Sequence, residues 1–157
     1  MVAGGGFPEV FAEQLGANEP LLADVRRQVD DGLTTWAECG GLLWLCDDLD
    51  GRPMAGAVAA RGRMTDRLSL GYREAVTTGP TPLGPAGTPL RGHEFHYSVT
   101  EPAGDALDLI GRHGASRSGF GSTSFLACYL HVHLASRPDL AEQFVRSASA
   151  LRVPYTG

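Results

Sequence analysis

Residues 34–45 read TTWAECGGLLWL, in which a short β-rich segment is followed by one cysteine, two glycines and an apolar segment. The first part predicts a buried strand over Leu33–Ala37, and the glycines allow a sharp turn directly after Cys39. A short helix is expected from Gly41 to about Cys46. This order is typical of a nucleophile elbow, in which a helix N-terminus lowers the pKa of a thiol. The alternative is a buried cysteine in a glycine-rich turn, without a chemical role.

Composition excludes several classes of protein. The chain has 157 residues, is 43% hydrophobic and 20% charged, and carries a net charge of −5, which suits one globular domain. It has no basic run, so we expect neither a nucleic acid nor a membrane surface as partner. Without a lysine it has neither a Schiff base nor a Walker-type lysine. Its three cysteines form no paired pattern, and no signal peptide is visible, which predicts a cytoplasmic protein with reduced thiols.

Periodicity places the remaining elements. The segment Met1–Ala3 is expected to be a shortened strand that feeds the turn Gly4-Gly5-Gly6. One helix is expected from Pro8 to Gly16 and a second from an N-cap at Asn18 to Gly32. Four further segments are predicted to be strands: Met54–Ala60, Leu68–Thr78, Arg91–Thr100 and Ser118–Leu134. A loop is expected over Thr78–Pro89, and a final helix is expected to begin near Ser136.

A catalytic cysteine needs a base, and the chain has five histidines. His131 and His133 follow the apolar run Phe125–Leu130. Because side chains two apart in a strand point to the same side, both rings are predicted to face one pocket, one as base and the other as its orienting partner. A pair of metal-binding or surface histidines is the alternative.

The other polar cluster is RGHEFHYS at Arg91–Ser98. Arg91, His93 and Glu94 are expected to bind a carboxylate-bearing ligand, since guanidinium groups match carboxylates. A polar edge strand explains the same residues. The histidine spacing is not that of a zinc protease, and four metal ligands cannot be assembled, so no metal is expected. The turn Gly4-Gly5-Gly6 can offer backbone N–H groups to an oxyanion, or be purely structural.

Five motifs occur in an order that resembles a known family: GGFPE at Gly5–Glu9, AECGG at Ala37–Gly41, LGYR at Leu70–Arg73, RGHEFHYS at Arg91–Ser98 and YLHVH at Tyr129–His133. Together they resemble the C-terminal class I (triad-type) glutamine amidotransferase domain of cobyrinic or hydrogenobyrinic acid a,c-diamide synthase. The resemblance implies a three-layer α/β fold with a mixed, largely parallel sheet flanked by helices. It also implies a glutaminase in which Cys39 is the nucleophile and His131 the base.

The same resemblance implies further roles. Gly40 and either Gly5 or Gly6 would hold the oxyanion. His133 stands where many class I amidotransferases have glutamate, so we take it as the candidate third member of the triad. The ammonia would amidate the a and c acetate side chains of the corrin substrate. ATP and Mg²⁺ would belong to an N-terminal synthetase domain, and no cofactor is expected in this one.

Residues 1–157 are therefore expected to form one amidotransferase domain that lacks its first strands and the upstream ATP-binding domain, and that works with a synthetase domain or subunit as partner. Three alternatives remain: a truncated non-catalytic remnant, a module that binds a corrinoid or another acidic ligand through Arg91 and His93, and a histidine-based metal hydrolase.

Overall fold

The computed structural model describes residues 1–112 and 114–150. Its helices are α1 Ala12–Ala17, α2 Glu19–Asp30, α3 Gly40–Leu45 and α4 Pro138–Ala150, with 3₁₀ turns at Pro8–Phe11 and Leu134–Ser136. Its strands are β1 Val2–Ala3, β2 Thr35–Glu38, β3 Cys46–Leu49, β4 Arg52–Pro53, β5 Val58–Thr77, β6 Pro89–Glu101, β7 Leu107–Gly111, β8 Gly114–Ser118, β9 Phe120–Ser122, β10 Phe125–Cys128 and β11 His131–Val132. The predicted mixture of sheets and flanking helices is confirmed.

A four-stranded sheet in the order β1-β2-β10-β9 contains the cysteine-bearing strand. Strands β1 and β10 lie parallel to β2 on either side of it, and β9 is antiparallel to β10. The predicted short strand at the start of the chain and the predicted strand before Cys39 are both confirmed. Because the three parallel strands point the same way, the segments that follow them meet at one edge of the sheet.

The second sheet is mostly antiparallel. Its order is β11-β6-β5-β3-β4, with β7 beside β5 and β8 beside β7. The β3–β5 pair is parallel, whereas β5–β6, β5–β7, β7–β8 and β11–β6 are antiparallel. The expectation of a mixed, largely parallel sheet therefore holds for the four-stranded sheet and is wrong for this second sheet. Strands β5 to β8 follow one another without a helix between them, and direct connections of this kind favour antiparallel pairs.

Some predicted segments have different bounds. Strand β5 is continuous over Val58–Thr77, where the sequence predicts two segments, and its pairing with β6 shifts between Met64 and Ser69. The predicted segment Ser118–Leu134 is divided into β9, β10 and β11 by turns. The β7–β8 hairpin is not predicted, because its alternation is short and its outer strand is largely exposed.

Two hydrophobic clusters lie on opposite sides of the small sheet. Ala37 of β2 belongs to the cluster that includes Leu42 and Leu45 of α3, and the adjacent Trp36 belongs to the cluster that includes Leu126 and Leu130. Side chains of successive strand residues point to opposite faces, so β2 contributes to both cores. This burial on both faces fixes the position of the cysteine turn that follows β2.

Helix α2 is predicted correctly at both ends. The side chain of Asn18 accepts a hydrogen bond from the N–H of Leu21, and Gly32 has a positive φ of 91° just beyond the helix. Leu22 and Val25 are buried. Within residues 1–112 and 114–150, the helices are too short or too polar to cross a lipid bilayer.

Candidate functional site

Cys39 lies in a strained turn between β2 and α3. Its φ of 49° and ψ of −102° place a non-glycine residue in a region that L side chains rarely adopt. Its N–H donates to the carbonyl of Cys128 at the end of β10, with an N···O distance of 2.8 Å. The strained backbone and the strand–cysteine–helix order together form the predicted elbow.

Burial controls the protonation of the Cys39 thiol. Desolvation raises its pKa, and the hydrogen bond from the N–H of Gly40 acts in the opposite direction without overcoming it. The carboxylates of Glu9, Glu38 and Glu94 add to the increase. The helix N-terminus therefore acts in the expected direction through the N–H of Gly40, but burial of the thiol outweighs it and the net pKa of Cys39 is raised.

The glycine turn after β1 lies directly beside the elbow. A Cβ atom on Gly40 would lie 2.6 Å from the carbonyl oxygen of Gly6, and a Cβ on Gly41 would overlap the carbonyl oxygen of Ala3. A Cβ on Gly5 would lie 2.7 Å from Cε1 of His131. The structure thus brings the predicted oxyanion residues Gly5, Gly6 and Gly40 to the same place. Gly40 has no room for a side chain because the backbone of Gly6 lies against it, and Gly5 has none because the ring of His131 does, whereas a Cβ on Gly6 would meet no atom within 4 Å.

His131 begins β11 and is partly buried beside this turn. Its Nδ1 lies 3.8 Å from Oε2 of Glu38, and its ring stacks on that of His93 with centroids 5.0 Å apart and planes 18° apart. Burial lowers the pKa of His131, and positive charge on His93 and on His96 lowers it further. A neutral imidazole, the form that accepts a proton, is therefore favoured at this position.

Glu38 is a site residue that the sequence analysis does not identify. It ends β2 immediately before Cys39, and its Oε1 accepts a hydrogen bond from the N–H of Val132, with an N···O distance of 2.9 Å. Burial raises the pKa of Glu38, and the hydrogen bond from Val132 opposes this. The sequence does contain a signal for this residue, because the carboxylate of Glu38 directly precedes Cys39 at the end of the predicted strand.

His133 lies apart from this cluster. Strand β11 ends at Val132, and His133 is exposed at the start of the 3₁₀ turn Leu134–Ser136. Across the described residues no hydrogen bond, ion pair or ring contact joins its side chain to His131. The strand is too short for the predicted alternation to carry both rings to one pocket.

The residues of the second motif point to two faces of β6. Arg91 is exposed and pairs with Glu74, with an N···O distance of 2.5 Å, and His93 is exposed on the same face. Glu94 is buried on the other face, where its Oε2 lies 2.9 Å from Nε of Arg73. The structure therefore does not gather Arg91, His93 and Glu94 around one ligand.

The backbone of this motif approaches Cys39. Sγ of Cys39 lies 3.8 Å from the carbonyl oxygen of Phe95, and Nδ1 of His96 donates to the carbonyl of Ser98 over 2.8 Å. A small cavity of about 50 Å³ lies against Cys39, with Phe95 and His96 in its wall. A larger groove of about 530 Å³ has Gly6 and Gly40 in its wall, but neither Cys39 nor His131 lines it. In the part of the chain that is described, no group of three or more His, Cys, Asp or Glu side chains could hold a metal ion.

Comparison with known proteins identifies the class. Residues 1–139 match the CobB/CobQ-like glutamine amidotransferase domain. The chain is 47% identical over 147 residues to hydrogenobyrinate a,c-diamide synthase of Streptomyces coelicolor, which covers 92% of this chain and 30% of that protein. It is 39% identical over 157 residues to cobyrinate a,c-diamide synthase of Dehalococcoides mccartyi, covering 91% of this chain and 34% of that protein.

The chain belongs to the CobB/CobQ-like glutamine amidotransferase family. The resemblance drawn from the five motifs is thereby confirmed. The chain spans about a third of the length of the curated relatives it matches.

Proposed function

We propose that this chain is a Cys–His glutaminase that supplies ammonia for the amidation of the a and c acetate side chains of cobyrinic or hydrogenobyrinic acid in cobalamin biosynthesis. One observation carries the proposal. The strained Cys39 turn and the His131–Glu38 pair meet at the edge where parallel strands β1, β2 and β10 end. A nucleophile, a base and an acidic partner of the base are the groups that acyl transfer from an amide needs.

The first step is attack on the side-chain amide of glutamine. Because burial raises the pKa of Cys39 and lowers that of His131, the resting proton is assigned to sulfur. As Sγ bonds to the amide carbon, that proton passes to His131. Backbone N–H groups of Gly40 and of Gly5 or Gly6 are assigned to the oxyanion. Glu38, at Nδ1, stabilises the imidazolium and leaves Nε2 for proton transfer.

Collapse of the tetrahedral intermediate breaks the C–N bond. His131 returns the proton to the departing nitrogen, ammonia leaves, and a glutamyl thioester remains on Cys39. A water molecule then adds to the thioester while His131 accepts its proton. When the C–S bond breaks, glutamate is released and the thiol is restored. Glutamine and water are thus converted to glutamate and ammonia, with no cofactor assigned to this domain.

The corrin acceptor, ATP and Mg²⁺ are assigned to a synthetase partner. The relatives named as hydrogenobyrinate and cobyrinate a,c-diamide synthases are about three times as long as the matched segment. Amidation of a carboxylate needs an activated acyl group, and no phosphate-binding lysine exists in this chain to form it. Glutamine and the partner domain are therefore the binding partners proposed for this chain.

Glutamine hydrolysis by the purified protein tests the proposal. Ammonia and glutamate are measured for wild type and Cys39→Ala, alone and with the remaining part of the Streptomyces coelicolor relative, ATP, Mg²⁺ and hydrogenobyrinic acid. We expect equimolar ammonia and glutamate that depend on Cys39. The proposal would be overturned if the protein unfolds cooperatively in urea, and is therefore folded, but releases no ammonia in any mixture. That result would favour a non-catalytic remnant.

A further inference from the structure

His93 lies directly across the strand ladder from the proposed base. In the antiparallel β11–β6 pair, His131 is opposite His93, and Val132 is opposite Gly92. Side chains of directly opposed residues lie on the same face of the sheet with close Cβ atoms. The two imidazoles consequently stack, with centroids 5.0 Å apart and planes 18° apart.

Gly92 allows β6 and β11 to come close enough for this stack. A Cβ on Gly92 would overlap the carbonyl oxygen of His131. The backbone of His131 is thus held against β6, and its ring is covered by that of His93. The glycine and the histidine are adjacent in RGHEFHYS, so one short motif supplies both contacts.

Three parts of the His131 ring have different neighbours. Glu38 faces Nδ1 from β2, Gly5 faces Cε1 from the segment after β1, and His93 covers a ring face from β6. His96, further along β6, also lowers the pKa of His131 through its positive charge. Glu38 favours the imidazolium, whereas the two histidines disfavour it.

We propose that His93 is a positioning residue for His131, which fixes the ring by stacking and disfavours a second positive charge beside it. The inference rests on the proposed glutaminase function. It assigns His93 a role toward the base in place of the ligand-binding role expected from its sequence. Two stacked imidazoles repel each other when both are protonated, so His131 stays neutral, and able to accept the thiol proton, down to a lower pH.

Three variants separate stacking from charge. His93→Phe keeps a flat ring and removes the imidazole nitrogens, and His93→Ala removes the whole ring. Ile110→Ala is the matched control, because Ile110 is exposed on the same sheet but lies opposite Glu74 and not opposite His93. The readout is the pH dependence of kcat/KM for Cys39-dependent glutamine hydrolysis, with kcat and KM measured separately.

We expect His93→Phe to move the acid limb of kcat/KM to higher pH by about half a unit to one unit, with kcat within roughly threefold of wild type. His93→Ala should show the same shift and lose about tenfold in kcat, because the ring of His131 is no longer held. Ile110→Ala should match wild type. An unchanged acid limb in both His93 variants would overturn the inference, and an increase in KM alone would return His93 to a ligand-binding role.

A second measurement does not depend on activity. The Cε1–H resonance of His131, assigned with a His131→Asn variant, is followed by NMR through a pH titration of wild type and His93→Phe. We expect a higher pKa of His131 in His93→Phe, and equal values would overturn the inference. If the wild type hydrolyses no glutamine while this pKa rises, the proposed function fails and the positioning contact stands.

Discussion

Glu38 and His131 lie on neighbouring sheets with Oε2 and Nδ1 3.8 Å apart, while the other oxygen of Glu38 accepts the N–H of Val132 over 2.9 Å. The carboxylate therefore contacts both the ring of His131 and the backbone that follows it. Since Glu38 also directly precedes Cys39, one residue connects the strand that leads into the cysteine turn to the strand that carries His131. This arrangement favours Glu38 as the residue that orients the His131 ring, the role that the sequence analysis predicts for His133.

Replacing the carboxylate tests that assignment. We expect Glu38→Gln to lower kcat for glutamine hydrolysis by about 10²-fold, because the amide does not stabilise an imidazolium. His133→Ala is the matched comparison and should stay within about twofold of wild type, because His133 is exposed beyond the end of β11. Steady-state kinetics of both variants measure this. A large loss in His133→Ala with little loss in Glu38→Gln would reverse the assignment.

The raised pKa of Cys39 predicts a pH dependence for alkylation. A thiolate reacts and a thiol does not, so a raised pKa moves the reactive form to higher pH. We expect iodoacetamide to modify Cys39 slowly near neutral pH and progressively faster above pH ~9, the ordinary range of a thiol. Mass spectrometry of timed samples measures the rate.

Cys39→Ala is the control for this labelling. Burial raises the pKa of Cys46 and of Cys128 to about 12, so both should remain largely unmodified. A rate that is already maximal at neutral pH in wild type, and absent in Cys39→Ala, would show that the thiol is ionised at rest and would contradict the neutral resting pair.

The glycine turn offers two neighbouring positions with different surroundings. A Cβ at Gly5 would lie 2.7 Å from Cε1 of His131, whereas a Cβ at Gly4 would have no atom within 4 Å. We expect Gly5→Ala to displace the imidazole and lower kcat/KM by about 10²-fold, because small displacements of a catalytic group are costly. Gly4→Ala should leave hydrolysis unchanged. Equal activity in the two variants would contradict this close contact.

Two ion pairs between β5 and β6 differ in burial. The side chains of Arg73 and Glu94 are 13% and 12% exposed, whereas those of Arg91 and Glu74 are 76% and 66% exposed. We expect Glu94→Gln to lower the free energy of unfolding by roughly 3 kcal/mol, because it leaves the Arg73 charge largely buried without a partner. Glu74→Gln should cost less than about 1 kcal/mol.

Urea unfolding of both variants measures the difference. Glutamine hydrolysis at low denaturant then distinguishes a structural role of Glu94 from a role in ligand binding. If the role is structural, the folded fraction of Glu94→Gln should have the same KM as wild type. A Glu94→Gln protein with wild-type stability and a raised KM would restore the ligand-binding role that the sequence predicts for Glu94.

Local patterns determined the parts of the site that depend on neighbours in sequence. The β-rich segment, the two glycines after Cys39 and the leucines beyond them fix an elbow, because each residue type favours its own backbone conformation. Asn18 and Gly32 mark the ends of α2 for the same reason. The five motifs also identified the family, and the match over residues 1–139 confirms this identification.

Pairing between distant strands decided the rest. The sequence placed His131 and His133 together by assuming a longer strand, whereas β11 has two residues and pairs with β6, which brings His93 onto His131. The parallel ends of β2 and β10 bring Glu38 within reach of β11. Burial then raised the pKa of Cys39 against the helix N-terminus. Neither the strand register nor the desolvation of a side chain can be predicted from spacing along the chain, because both depend on residues that are remote in sequence.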